Sequence, residues 1–543
     1  MTAARRTFVG LILLATGAGP AAAADPAPPG RVLPVAIQGG RGEVVLATPN
    51  AGDKFYLLVG CLAQDTALHR VTVRTAPAAG PASVPLDTAA PDPDWRRRTA
   101  QLHEVLARAR RDRPPAPEPR PSEPPRQRRF CLFIGEHDFH NPESYVTVTA
   151  DLRAAGRHCL AYVDHDYPDP DALQPTVADA VAAFDRDIYP QARRRLGRAL
   201  DVDGDGRFTI LFSGWLARLS RGKVALGGFV RGSDFYRDLA APFGNRCDML
   251  YLNTDLRPGP HLRTLLAHEY THAVVFSEHL FGGWLPGGPR QEEESWLNEA
   301  VAHLNEDLHG YGWSNLDYRI SAFLSAPERY PLVVPDYYGT NLWRTPGTRG
   351  AAYLFLRWCA DRHGADLLPR LVQTSLSGPA NVEAATQERF ADLFRQWSAA
   401  LALGGAGLPA EGTTPLKRID PRQPLGDRLL CGPRFTEVPL SGGRHEAEVS
   451  GTAVAYLLLH SPAGPCSRVT VTADPSAGLQ VTLIRLPAEA PRLSLRCEAG
   501  ERPGTVRLAL TAPDAAVRLE AAAWERLSPA GKAEDTSYRP GHD

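Results

Sequence analysis

Apolar and polar residues alternate in short runs near both ends of the chain, while the middle mixes that pattern with helical spacing. GEVVLATP, KFYLLVGCL and RVTVRTAP, within 31–75, read as strands, because a period of two marks a chain with one buried face. They predict a small N-terminal β domain over 25–75. Residues 76–128 are rich in Pro, Ala and Arg and read as an exposed linker. Within it, Leu102, Val105, Leu106 and Ala109 share one face, which predicts a short helix from Trp95 to Arg111. Arg126-Gln127-Arg128-Arg129 closes the linker and can be read as a processing site or, more plainly, as solvated basic chain. From Phe130 the runs FCLFI, HCLAYVD, RFTILFSG, GGFVRG and DMLYLNT predict strands, interrupted by one long helix, PTVADAVAAFDRDIYPQARRRLGRAL.

Beyond position 299, ISAFLSAP, GAAYLFLRWCADRHG, DLLPRLVQTSL and ERFADLFRQWSAALAL carry helical spacing. A Gly- and Pro-containing linker spans 404–427. Residues 428–527 then return to alternating runs, among them AVAYLLLH, SRVTVTA and LQVTLIRL, which predict a C-terminal β-sandwich. From Ser528 the chain is polar and is expected to be disordered. The fold class expected is therefore α+β and multidomain, with a central domain over 129–403 flanked by two β units.

The first 24 residues change the cellular picture. A basic start, a short apolar run and small residues before Ala24 make a secretory signal peptide, so the protein is expected to be secreted or periplasmic. Arg5-Arg6 also fits a twin-arginine signal, but the general secretory route is the plainer reading. No later run is apolar enough to span a membrane. Lys and Arg number 60 and Asp and Glu 61, so charge points to neither nucleic acid nor an anionic surface as partner. Eight cysteines in an exported chain favour disulfides, with Cys466–Cys497 the pair expected within one β region; buried free thiols are the other reading for some.

The candidate chemistry sits in RTLLAHEYTHAVVF. On a helix, His268 and His272 stack on one face and can offer two imidazoles to one metal ion. Glu269 beside them can take a proton from water activated by that metal. A catalytic zinc takes three protein ligands, and Glu299 in SWLNEAVAHLNEDLHG is the best third, on a second helix that Asn298 can help start. A third His at 278 would make a different class, but that position is Glu278, and the only methionines, Met1 and Met249, lie upstream of the motif. His279 is one residue out of register, and Glu292, Glu293 and Glu294 read as a solvated approach to the second helix.

HEYTH followed by WLNEA resembles a gluzincin zinc metallopeptidase, and the chain from Phe130 to Leu403 is most similar to the hyicolysin-like secreted neutral metallopeptidases. DGDGRFTILFSG, RGAAYLFLRWCADRHG and NVEAATQERFADLFRQWSAAL share in that similarity. The resemblance implies a zincin catalytic domain with a twisted sheet and a helical lower half. It implies Zn2+ on His268, His272 and Glu299, Glu269 as general base, protein or peptide substrates, and a substrate strand along a sheet edge. Gluzincins often place a carboxylate that holds a ligand histidine one turn past the Glu ligand. His303 stands there in this chain, with Glu306 and Asp307 beyond. Tyr338 and Tyr353 are the candidates for an oxyanion-binding electrophile. A zinc aminopeptidase and a non-catalytic binding protein on the same fold are the rival readings. The first lacks an evident anchor for the substrate amine, and the second leaves Glu269 without a use.

Two further clusters invite a metal. Asp201, Asp203 and Asp205 resemble half of a Ca2+ loop, but position 12 would be Phe212, so a degenerate calcium site and a plain acidic turn both stay open. His137, Asp138 and His140 read as a polar loop, and Asp164, Asp166, Asp169 and Asp171 mainly as solvated turn chemistry. The C-terminal β unit offers a surface for contact with a polymer or cell surface.

Overall fold

The computed structural model describes residues 29–487, apart from 48–52, 80, 89–91, 114–121, 136–137, 220–225, 286–289, 406–407, 409–410 and 461–465. It also describes the backbone of 495–499 and 506–510. The signal peptide, His137, the side chain of Cys497 and the polar tail lie outside the described residues.

Strands β1 (Val32–Val35), β2 (Arg41–Ala47), β3 (Lys54–Cys61) and β4 (Leu68–Pro77) come first, as their alternation predicts. Helix α1 (Pro93–Asp112) starts on Asp92, whose side chain accepts from Asp94 N–H, and buries Leu106 but not Val105. A mixed sheet follows: β5 (Gln127–Phe133), β6 (Tyr145–Ala155) and β7 (Cys159–Asp164) pair antiparallel in turn. The basic end of the linker is therefore partly strand, not solvated chain. Gln127 to Arg129 pair with β6, and Arg128 donates to Asp203 at 2.7 Å.

The long helix forms in two parts, α2 (Gln174–Ala183) and α3 (Tyr189–Arg195), joined by a π turn over Phe184–Ile188. Pro190 has no N–H to give and its ring would crowd the carbonyl of Arg186; the wider turn, in which Tyr189 N–H reaches Phe184 O, accommodates it without ending the helix. The sheet continues through β8 (Phe208–Ser213), parallel to β7. Then come helix α4 (Trp215–Leu219), the short β9 (Gly228–Phe229), and β10 (Met249–Asn253), parallel to β8. Its order is β5-β6-β7-β8-β10-β9, which leaves antiparallel β9 as an edge strand.

Helix α5 (Pro260–Phe281) lies against this sheet, and most of its residues are buried. Pro260 suits the first turn, where its missing N–H has no role. Helix α6 (Ser295–His309) packs on α5 and ends on Gly310, whose φ of 73° is the left-handed stop that glycine permits. Helices α7 (Asp317–Ser325), α8 (Pro346–His363), α9 (Leu367–Val372), α10 (Gly378–Thr386) and α11 (Phe390–Leu403) complete the helical half. No helix among the described residues is long and apolar enough to cross a membrane.

The chain ends in strands: the β11 (Pro424–Leu425) and β12 (Arg428–Leu429) pair, then β13 (Phe435–Pro439), β14 (Gly443–Ser450), β15 (Val454–His460), β16 (Cys466–Ala473) and β17 (Leu479–Arg485). A separate pair, β18 (Leu495–Ala499) and β19 (Val506–Leu510), follows. Here the expected separation into two β units gives way. The sheets are β1-β17-β3-β15-β13 and β14-β4-β16-β2, so strands from both ends of the chain interleave in one sandwich. Leu57, Val59, Val71 and Val73 from the first end share a buried core with Leu457, Val469, Val471 and Leu483 from the second. Each end alone would expose that apolar face. The sandwich docks on the helical half through α11, where Tyr456 donates to Ser398 O and Gln480 to Ala391 O. Cys466 carries a free thiol, so the expected Cys466–Cys497 bridge does not form. Cys61, Cys131, Cys159, Cys247 and Cys359 are buried thiols.

Candidate metal centre

Helices α5 and α6 bring the motif residues together. Being four apart on α5, His268 and His272 present their Nε2 atoms 3.1 Å from each other. Glu299, on the facing side of α6, places Oε2 3.3 Å from His268 Nε2 and 4.0 Å from His272 Nε2. A tetrahedral zinc with bonds near 2 Å spaces its ligand atoms about 3.3 Å apart. The three atoms therefore fit such an ion without rearrangement of either helix. Glu299 Oε2 is buried and makes no hydrogen bond, so this oxygen is available to a cation.

The outer nitrogen of each ring is held. His268 Nδ1–H donates to Glu306 Oε2 at 2.9 Å, and His272 Nδ1–H to Asn298 Oδ1 at 2.8 Å. Both bonds fix the tautomer that leaves Nε2 for a metal. Asn298 thus sits inside α6 as an orienting residue rather than at the helix start, where Glu294 is the cap. Glu306 supplies the carboxylate that the resemblance led one to expect at position 303. It is itself held by Asn315 Nδ2–H at 2.9 Å and by His303 Nδ1–H at 3.2 Å.

Electrostatics favour a positive charge here. Burial works against a protonated His268, yet Glu299 and Glu306 hold its pKa at about 10. Burial pushes His272 down to about 4. Burial also disfavours the charge on Glu299, but Arg349, 2.7 Å from Oε1, and the two histidines hold it well below the usual carboxylate range. Arg349, on α8, opens the RGAAYLFLRWCADRHG stretch but is not singled out there as a site residue. Glu269 is buried on the same turn as His268, and burial raises it to about 7. Edge strand β9 passes over it: a Cβ built at Gly228 would stand 3.3 Å from Glu269 Cγ.

The two tyrosines separate. Tyr353 is fully buried in α8, close to Asp307, and is a core residue, so it cannot meet a substrate. Tyr338 is 53% exposed, stacks on Trp343, and feels the charges of Arg349, Glu299 and Glu269, which puts it on the rim of the centre. Glu293 is not solvated. It is buried, accepts from Gly378 N–H, Asn381 Nδ2–H and Glu294 N–H, and ties α10 to the start of α6. Glu278 pairs with Arg113 at 2.7 Å and His279 Nε2 lies 3.2 Å from Leu371 O, so neither belongs to the centre.

At the acidic loop, carboxylate oxygens of Asp201, Asp203 and Asp248 lie within 4.8 Å of one another, so Asp248 takes the place expected of Asp205. Asp205 instead accepts from Arg207 N–H. Asp203 is already paired with Arg128, and Asp201 and Asp248 cap the N–H groups of Gly204 and Val202. Asp164 is likewise buried, accepting from Ser213 Oγ–H, rather than solvated.

Replacing Glu306 by Ala removes the acceptor of His268 Nδ1–H. Zinc affinity is expected to fall by about 10–100-fold, the usual effect of losing such a partner, as read by competition with a chromophoric chelator. Unchanged affinity would mean that Glu306 does not orient a ligand.

Compared with known proteins, the chain matches no family model and no curated protein sequence.

Proposed function

We propose that the protein is a secreted zinc-dependent endopeptidase of the gluzincin type, hydrolysing peptide bonds in protein or peptide substrates. The observation that carries this reading is the convergence of His268 Nε2, His272 Nε2 and Glu299 Oε2 on one point, with buried Glu269 beside them under an edge strand. His268, His272 and Glu299 would hold the metal, and zinc there supplies Lewis acidity towards water and a carbonyl oxygen.

The residues of the chain do the rest. A substrate segment extended along β9 adds a strand to the sheet, and its backbone then runs past Glu269. Glu269 accepts the proton of the attacking water and passes it to the departing amine. Its raised pKa of about 7 suits both halves of that transfer near neutral pH. Tyr338, from the rim, donates a hydrogen bond from its hydroxyl to the oxyanion that develops. Arg349 keeps Glu299 ionised and in place. The zincin arrangement of sheet over helices is part of this proposal, and so is the likeness to hyicolysin-like enzymes. What supports both is the order of elements: a sheet with an antiparallel edge strand, the HEYTH helix, then the WLNEA helix.

The test is hydrolysis of unfolded casein by the purified full chain before and after dialysis against 1,10-phenanthroline. Activity is expected to drop to the level of the blank and to return on adding one equivalent of zinc. Hydrolysis that persists in protein shown to be zinc-free would sink the proposal.

A further inference from the structure

The proposed chemistry uses the hydroxyl of Tyr338 and leaves its ring idle. That ring belongs to a row. Tyr338 stacks on Trp343 with centroids 5.6 Å apart and meets the ring of Phe139 edge-on at 6.1 Å. Phe139 in turn stacks on Phe133 at 4.5 Å. Phe133 ends β5 and Phe139 lies in the loop that leads to β6, whereas Tyr338 and Trp343 belong to the loop between α7 and α8. The row therefore crosses from the sheet to the helical half. It passes the metal centre at Tyr338, which feels the charges of Glu299 and Glu269.

The middle of the row is uncovered. Phe139 is 41% exposed and Tyr338 53%, and among the described residues these are the two exposed aromatic side chains. Two such rings in contact make a patch that gains from burial, rather than scattered apolar positions. Both loops are held. Tyr145 Oη–H donates to Phe139 O at 2.8 Å, and Asp336 Oδ1 accepts from Tyr338 N–H at 2.9 Å and Gly339 N–H at 3.0 Å. The rings are thus set before anything binds, which lowers the entropy lost on filling the space between them. At the other end the Arg344 guanidinium covers Trp343, 4.0 Å from the ring centroid. What stays open is the corner between Phe139 and Tyr338, whose ring planes meet at 88°. An aromatic side chain laid in that corner stacks on one ring and presents its edge to the other; an aliphatic one gains area alone.

We infer that the corner between Phe139 and Tyr338 is a substrate subsite that takes an aromatic side chain next to the scissile bond. This rests on the endopeptidase reading. With the Tyr338 hydroxyl directed at the oxygen of the scissile carbonyl, the ring behind it borders the side chain of an adjoining substrate residue. A phenylalanine, tyrosine or tryptophan there covers both exposed rings, and an alanine reaches neither. Phe139 is thereby a specificity-determining residue that takes no part in breaking the bond.

Digestion of a mixed peptide library by the zinc-loaded full chain, with the products sequenced by mass spectrometry, tests the subsite. Aromatic residues are expected about 10–100-fold over alanine at one position beside the cut. Phe139→Ala is expected to lower that ratio about tenfold, and Phe139→Tyr to keep it. Should Phe139→Ala not fold, Phe139→Leu, which keeps bulk without a ring face, serves in its place. Cleavage of the library by the wild type without such a preference, or a preference that removal of the Phe139 ring leaves unchanged, would overturn the subsite and leave the endopeptidase reading intact. No cleavage by the wild type would end both.

Discussion

Glu269→Gln is expected to lose about 10²–10⁴-fold in the rate of casein hydrolysis while binding zinc as the wild type does. The side chain keeps its size and its place on α5 but can no longer accept a proton. It is buried, and neither of the two hydrogen-bonded rings depends on it: His268 is held by Glu306 and His272 by Asn298. The loss should therefore fall on turnover, with folding and metal content preserved. Zinc content by atomic emission and thermal unfolding by circular dichroism check the second half of that statement. An unchanged rate would remove Glu269 from the mechanism. A lost rate with lost zinc would mean only that the substitution had damaged the centre. The same variant separates the peptidase from the binding-protein reading, because a purely structural zinc site has no need of a base.

What could be read from the sequence followed the range of each interaction. HEYTH is legible because two side chains four apart meet on one face of any helix, whatever packs around it. Glu299 followed from the count of ligands that zinc needs. Glu306 did not, because its contact with His268 joins residues 38 apart on two helices, and spacing within α6 carries no sign of it. Arg349 reaches Glu299 from α8, a contact that spacing does not show either. Tyr353 and Tyr338 looked alike as letters and part only when α8 turns one inward. Strand β6 was missed although Val146, Val148, Ala150 and Leu152 alternate with Thr147, Thr149 and Asp151 and pack into one core. In the sandwich the strands were legible and their partners were not, since alternation reports which face is buried and nothing of what buries it.

That last difference has a large consequence. Removing residues 428–543 is expected to leave a chain that does not fold to a soluble product, although 428–527 read as a separable domain. Strand β3 pairs with β15 on one side and β17 on the other, and β4 with β14 and β16. The truncation strips both strands of every neighbour. It exposes the apolar face of Leu57, Val59, Val71 and Val73, all buried in the intact chain. At about 1.5–3 kcal/mol for each side chain, that is roughly 6–12 kcal/mol, as much as the whole stability of a typical domain at about 5–15 kcal/mol. The damage reaches the helical half as well. Gly60 in β3 stands against Phe394 of α11, and Val333 N–H donates to Thr452 at the head of β15. Expression of residues 1–427 should thus give aggregated or proteolysed protein. Co-expression with 428–543 as a separate chain should restore solubility, because the two parts complete each other's sheets. A soluble 1–427 fragment with a single cooperative thermal transition would refute the interleaved sandwich and return the two β units to independence. The same interleaving bears on activation. A cut in the segment before β5 would not release β1 to β4, since they would stay bound by the strands of the other end, so loss of the N-terminal β strands is not a route by which this centre is uncovered.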